Sequence, residues 1–517
     1  MKTKKGLLPI IFLIMCLLFA LLVSCGVRWK ASEYALYQLA HQITEWDQLK
    51  QILISTVIYL YGYLFCWEIT KGQTKYVCLL AYPAGIMCWC ATSLFLVVAG
   101  IPYTLPVTLI LLLLILLVVF LRGKTKIKWE LLKNSSCIAV GIISVASTGV
   151  LMLMLTSDSQ YYIMKYGEIL AIDGAITCNT SYWLTWTGIS SAFLGSLVKF
   201  FNLYSLGVVH HSLMISFFAL IAVVVYQMLD FQENKKKRLG ITALILVLAG
   251  ITPVFFLLNH WQMQNSYYMG YMMLYLVLCC RLRQVEKEER QGLLWLICLS
   301  VLMLGMMRIE SSVVMCFLII CASTLEISKK EILLYMLCPL GAAQLLYWIR
   351  VYVVLGKIES AIFNTTMLLL IAAAWMITFI YVLLLRKIFK EKLGSKLPAF
   401  ILILVCLLNV LMAVFKWEDF KINVEVVMTN FANASWGYFP WLVLFGVMIV
   451  TLKGLKWNFF DFIWIGYLLF NFAVGMARNG AFRLGEGDSL NRIYCSIVPI
   501  ILLSGVLHYR NYRIKEK

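Results

Sequence analysis

Asp158, in the stretch Ser157-Asp158-Ser159-Gln160-Tyr161-Tyr162, is the residue of this chain best suited to act as a base. It follows the apolar run ending Leu153-Met154-Leu155-Thr156, so its carboxylate stands where a membrane surface would meet water. Partial loss of water there favours the protonated form and makes the carboxylate a stronger proton acceptor. An Asp in such a place is also a favoured helix cap, so its neighbours decide the weighting. Tyr161, Tyr162 and Tyr166 follow at helical spacing, with Lys165, Glu168 and Asp173 among and beyond them. Trp183, Trp186 and Gly188 come next, then the pair His210-His211. Aromatic rings of this kind anchor helices at an interface, and they also make platforms for sugars or isoprenoid chains. Adjacent histidines on a helix point about 100° apart, which makes a poor metal chelate. At a helix end such a pair needs a partner or a water-filled cavity.

Further along, Arg308 and Glu310 sit between two closely spaced apolar runs, and Arg483 and Arg492 lie in a polar loop with Glu486 and Asp488. Arginine suits phosphate, because its planar fork binds two oxygens at once. Local ion pairing, Arg308 with Glu310 and the later arginines with their acidic neighbours, is the competing reading. Asn259-His260-Trp261 is a plausible sugar-contacting turn, although an interfacial Trp is common without one.

The elements that must hold these residues are membrane helices. The chain is 62% hydrophobic and 13% charged, with a mean hydropathy of +0.88. No soluble domain covers that much apolar surface. Apolar runs at residues 7–27, 51–70, 76–99, 103–122, 136–155, 205–229, 240–259, 266–282, 292–308, 311–326, 331–355, 364–385, 397–415, 437–453, 459–476 and 493–508 predict about sixteen transmembrane helices. Basic segments at 122–133, 235–238, 281–290, 386–396 and 510–517 fall in alternate gaps between these runs. With Lys2 to Lys5 inside, they mark the cytoplasmic face and put both termini there. The net charge of +19 is therefore a topology signal, suited to lipid headgroups, and nucleic acid is not an expected partner.

The longest outer gap, 156–204, holds two amphipathic segments, 161–172 and 182–201. Both are expected at the outer interface or partly re-entrant, because a full span there would turn Lys235 to Arg238 outward. Residues 416–436 and 477–492 are expected as long polar outer loops. The first four runs, residues 1–134, are expected to form a membrane module ahead of a core at 135–517. Most of the sixteen cysteines lie inside apolar runs and no Cys-x-x-Cys occurs, so disulfide and zinc frameworks are not expected. Leu22-Val23-Ser24-Cys25 resembles a bacterial lipobox, with an uncleaved first helix the preferred reading.

From Cys137 onward the chain resembles the GT-C-type glycosyltransferases, multi-spanning enzymes that use polyprenyl-phosphate sugars, and looks closest to a branch in Gram-positive bacteria. The resemblance rests on Ser157-Asp158-Ser159-Gln160-Tyr161-Tyr162, Trp186-Thr187-Gly188, Leu203 to Gly207 leading into His210-His211, Asn265-Ser266-Tyr267-Tyr268, Met307 to Glu310, and Gly487 to Tyr494 ahead of Pro499. It differs in having four runs ahead of the one that leads into the acidic loop, and Ser157 where many relatives carry a second acid. The resemblance implies an all-α, polytopic fold with a GT-C-like core and interfacial helices in the first large outer loop. It implies an inverting hexosyl- or pentosyltransferase in a bacterial cytoplasmic membrane. The implied partners are a polyprenyl-phosphate sugar donor, the lipid bilayer, and a glycan or cell-wall acceptor at the cell envelope. Asp158 would be the catalytic base, with Lys165, Glu168, His210, His211, His260, Trp261, Arg308, Glu310, Arg483 and Arg492 around the substrate. No cofactor is required, although Asp158 and Glu168 are able to bind a divalent metal. A transporter or flippase of lipid-linked saccharides, and a non-catalytic GT-C-like assembly partner, are the alternatives.

Overall fold

A computed structural model describes residues 45–72, 77–123, 142, 163–177, 188–251, 264–308, 311–349, 365–432, 457–477 and 496–515. Among these residues every regular element is helical. In chain order they are α1 Glu45–Ile69, α2 Val77–Ala99, α3 Leu105–Gly123, α4 Tyr166–Asp173, α5 Ser190–Phe200, α6 Gly207–Met228, α7 Lys235–Ile251, α8 Gln264–Arg281 and α9 Lys287–Gly305. There follow α10 Ser311–Ala322, α11 Lys329–Ile332, α12 Cys338–Ile349, α13 Thr365–Ile380, α14 Arg386–Leu393, α15 Leu397–Phe415, α16 Trp417–Ala432, α17 Phe459–Ala477 and α18 Val498–Lys515. Wide π turns at Leu333–Leu337 and Tyr381–Leu385 join α11 to α12 and α13 to α14.

Among the described residues, six helices are long and apolar enough to cross a membrane: α1, α2, α3, α6, the run Leu368–Leu393, and α15. In hydrocarbon a backbone must satisfy its own polar groups, which is why the spanning elements are helices. The chain is an all-α membrane protein. On α3, Leu109, Leu113, Leu117 and Leu121 form one exposed apolar stripe at helical spacing, a face that only lipid or another apolar surface can cover. The expected runs 7–27, 136–155 and 437–453 lie outside the described residues or nearly so.

The chain divides into two compact units. The first comprises residues 1–220, 259–319 and 325–379, and the second comprises 221–258, 320–324 and 380–517. In the first unit, helices on either side of residue 134 pack together: Trp89 Nε1 on α2 donates to Phe193 O on α5 at 2.8 Å. Helix α5 is 11 residues long, about 17 Å at 1.5 Å per residue and too short to cross. Its residues Ser190 to Leu197 are all buried. Because it touches the middle of α2, it enters the bundle rather than lying on a surface. A Cβ on Gly195 would collide with the Ile163 carbonyl, so only glycine lets α5 close onto the segment leading into α4.

One end of this unit is tied by charge. Lys71 and Glu288 are 3.5 Å apart, and Arg283 and Glu326 are 3.1 Å apart. Arg290 binds Glu331 with two nitrogens, Nε to Oε1 at 2.6 Å and Nη2 to Oε2 at 2.8 Å. Glu331 also closes a capping box with Ser328 at the start of α11. All three pairs join segments that the charge pattern puts on one side of the membrane.

In the second unit, Asn409 on α15 donates to Leu469 O on α17 at 2.8 Å. Residues 416–436, expected as a polar loop, contain the helix α16 instead. It has no Gly or Pro, acids Glu418 and Asp419 in its first turn, and a Lys421–Glu418 pair at 2.8 Å. Polarity there marked an amphipathic helix, not a loop.

The Arg290 fork beside Glu331 holds its carboxyl well down, to about 2. A depressed carboxylate pKa contributes stability that is full above the ordinary value near 4.5 and is lost as pH falls towards 2. Glu331→Gln is therefore expected to cost about 1–3 kcal/mol at neutral pH. Thermal melts in detergent should show the gap from wild type closing between pH 4.5 and about 2.

Candidate functional site

Helix α9 ends at Gly305, and α10 begins at Ser311. Breaking a helix here frees carbonyls that hydrocarbon cannot solvate. Those of Met303, Gly305 and Met306 are met by protein. Ser190 Oγ donates to Met303 O at 3.1 Å, while Ile189 N and Ser190 N both donate to Met306 O, at 2.9 and 3.0 Å. Gly305 O accepts from Ser312 Oγ at 3.5 Å and from the buried Gln344 Nε2 at 3.4 Å. The irregular segment 188–190 thus closes the irregular segment 306–308. Gly188 makes the closure possible. Its φ is +71°, and a Cβ would lie 2.5 Å from Met307 C and 2.6 Å from Met306 O.

Arg308 emerges from this break, partly exposed, and its Nη1 donates to Asn265 Oδ1 at 3.1 Å. Asn265 lies in the first turn of α8. The same turn carries Gln264, whose Nε2 donates to Ser191 Oγ at 3.1 Å, and Tyr267, whose hydroxyl meets His210 Nδ1 at 3.2 Å. One helical turn therefore holds Arg308, His210 and the start of α5 together. The rings of His210 and Tyr267 meet edge to face at 5.5 Å, as do those of His210 and His211 at 5.4 Å. His211 Nδ1 donates to Gly207 O at 2.8 Å, so that nitrogen carries a proton.

The start of α6, which carries both histidines, is capped by α1. Gln51, fully buried, accepts from Val208 N at 2.9 Å, and its amide donates to Asp47 Oδ2 at 2.8 Å. Asp47 Oδ1 accepts from Tyr204 N at 2.7 Å. Ser205 Oγ accepts from Gly207 N at 3.4 Å and from Gln51 Nε2 at 3.4 Å. Buried polar groups at a helix N-terminus replace the water that would otherwise satisfy its N–H groups.

The first-turn helices stand close by in sequence but are tied differently. Glu168 on α4 pairs with Lys199 on α5 at 3.4 Å, both about half exposed. Lys165 is exposed on the turn before α4. Of the expected site residues, His210 and Arg308 are joined through the α8 turn, while the contacts of Glu168 run to Lys199. Asp158, His260, Trp261, Glu310, Arg483 and Arg492 lie outside the described residues. Among the described residues no group of three His, Cys, Asp or Glu side chains is gathered to hold a metal ion.

Sequence reading passed over Asp47, Gln51, Ser191 and Gln264. Asp47 and Gln51 stand four apart, on one face of a helix, and that spacing was the signal available. The apolar run itself begins at residue 51, and the polar turn ahead of it has the composition of a solvated loop.

Chemically, the arrangement offers a partly exposed guanidinium that donates to an amide oxygen, an imidazole beside a phenol, and a buried frame behind both. Gly188→Ala is expected to destabilise the protein clearly more than Gly174→Ala. Both glycines have positive φ, +71° and +64°, but at Gly174 the nearest atoms to an added Cβ are 3.8 Å away. The backbone penalty common to both is about 1–2 kcal/mol; the collision belongs to Gly188 alone. Equal melting temperatures for the two variants would remove the clamp from the account.

Comparison with protein-family models, with curated proteins and with solved structures finds no match for this chain.

Proposed function

We propose that the chain is a membrane glycosyltransferase of GT-C type, moving a sugar from a polyprenyl-phosphate carrier to a cell-surface or cell-wall acceptor at the outer face of a bacterial cytoplasmic membrane. The observation that carries the reading is the α9–α10 break, from which Arg308 emerges onto Asn265 beside His210 and Tyr267. Phosphate departing from a sugar gains negative charge, and a fixed guanidinium stabilises it without reorganising at the moment of reaction. The buried clamp at Gly188 to Ser190 keeps that guanidinium from retreating.

In this proposal the acceptor hydroxyl attacks the anomeric carbon, and Asp158 takes its proton as the new bond forms. The configuration at that carbon inverts, and the polyprenyl phosphate leaves carrying the bonding electrons of the broken C–O bond. Arg308 meets the leaving phosphate, with Arg483 and Arg492 proposed alongside it. His210 and His211, with His260 and Trp261, would line the sugar. Lys165, Glu168 and Glu310 would complete the rim.

Purified protein incubated with polyprenyl-phosphate sugars should release the sugar from its carrier. Asp158→Asn is expected to lower turnover by about 10²–10⁴-fold, the usual weight of a general base. Arg308→Gln is expected to lower kcat/KM by about 10–10³-fold, with Arg308→Lys recovering part of it. A wild-type protein that carries the lipid-linked sugar across vesicles intact, leaving the sugar–phosphate bond whole, would replace this reading with the flippase one.

A further inference from the structure

In the second unit, two basic segments far apart in sequence form one surface. Arg510 on α18 grips Asp230 with two nitrogens, Nε to Oδ1 and Nη2 to Oδ2, both at 2.9 Å. Beside it the rings of Tyr509 and Phe231 meet edge to face at 5.6 Å. This contact brings the turn that leads into α7 against the polar end of α18. Arg238 is held as well: its Nε donates to Tyr226 O at 2.5 Å and its Nη2 to Gln227 O at 3.2 Å, with the guanidinium 4.1 Å over the Tyr226 ring. Those bonds cap the last carbonyls of α6, a candidate membrane span.

With Arg510 and Arg238 engaged in structure, Lys235, Lys236 and Lys237 project exposed from the first turn of α7. Arg513, over Tyr509 at 5.8 Å, extends the same face. Residues 226–238 and 509–513 together hold six cations against two carboxylates, Asp230 and Glu233, and Asp230 is taken by Arg510. The charge density is unfavourable on its own account. Three lysines at the N-terminus of a helix oppose its dipole, which favours anions there. Yet this face lies directly where α6 ends, and Tyr226, Tyr509 and Tyr512 supply the amphipathic rings typical of headgroup depth.

We infer that this face is a binding surface for anionic phospholipid headgroups, with Lys235, Lys236 and Lys237 as the phosphate contacts and the Arg510–Asp230 clamp as the element that assembles it. Each Lys near an anionic bilayer adds to the attraction, and three held on one turn act together. The surface is independent of the sugar-transfer reading, since it uses none of the residues proposed there.

The full-length protein in nanodiscs of equal phosphatidylglycerol and phosphatidylcholine, released and weighed by native mass spectrometry, tests it. Wild type should retain phosphatidylglycerol in preference to phosphatidylcholine. The triple variant K235Q/K236Q/K237Q, altered only at exposed positions, should lose that preference by about tenfold or more. Asp230→Asn separates a built surface from a mere charge count, because it makes the face more positive while untying α18. The inference requires that Asp230→Asn retain less phosphatidylglycerol than wild type. Equal retention of the two lipids by wild type, no change in the triple variant, or a gain in Asp230→Asn would each overturn it.

Discussion

A broken helix inside an apolar bundle must find protein partners for every backbone group it exposes, and the first unit is arranged around that demand. Between Gly305 and Ser311 the α9–α10 line is interrupted, and the carbonyls of Met303, Gly305 and Met306 are met by Ser190, Ile189, Ser312 and Gln344. The irregular segment at 188–190 therefore exists together with the break at 306–308, and neither is stable alone. Arg308 owes its position to that mutual closure. A continuous helix would have carried it on a lipid-facing or packed surface, where a guanidinium is costly.

The same rule explains the buried polar side chains elsewhere. Asp47, Gln51 and Ser205 serve the start of α6, and their hydrogen bonds run in a closed circuit through Tyr204 N and Val208 N. In the second unit, Asp461 near the start of α17 accepts from Asn458 N at 2.7 Å, pairs with His508 Nε2 at 2.6 Å and binds Ser504 Oγ. Asp461 is 3% exposed, and a carboxylate so placed is tolerable only because three groups face it. These polar residues sit at helix ends because that is where the backbone leaves unpaired groups for them to bind.

Much of the helical frame was legible in the chain itself. The expected runs at 76–99 and 397–415 match α2 and α15 closely, because both are uniformly apolar and end at Gly100 and Lys416. The misplacements have one cause. Helix α1 begins at Glu45, α7 at Lys235, and α18 reaches Lys515, each beyond its apolar run. A hydropathy window reports where hydrocarbon is, whereas a helix continues into water as long as no Gly or Pro stops it. The short α5 was legible as non-spanning from charge alternation alone, since a crossing there would have reversed the later basic loops. Its burial against Trp89 was not legible, because contacts between distant segments leave no periodic trace. The frame around the candidate site shows the same division: Arg308 and His210 stood out as ionisable residues at run ends, but Asn265, Tyr267 and Gly188 became meaningful only as their neighbours.

Among the described residues the arginines have different kinds of partner, and the difference bears on what each is for. Arg283, Arg290 and Arg510 each hold a carboxylate at 2.6–3.1 Å, and a guanidinium so paired has little field left to offer a ligand. Arg308 is instead bound by the amide oxygen of Asn265. An amide orients a guanidinium through a hydrogen bond while leaving its unit charge in place, and a carboxylate in the same position would cancel it. In the proposed reading, the Asn265 amide orients Arg308 towards an anion without adding a negative charge of its own.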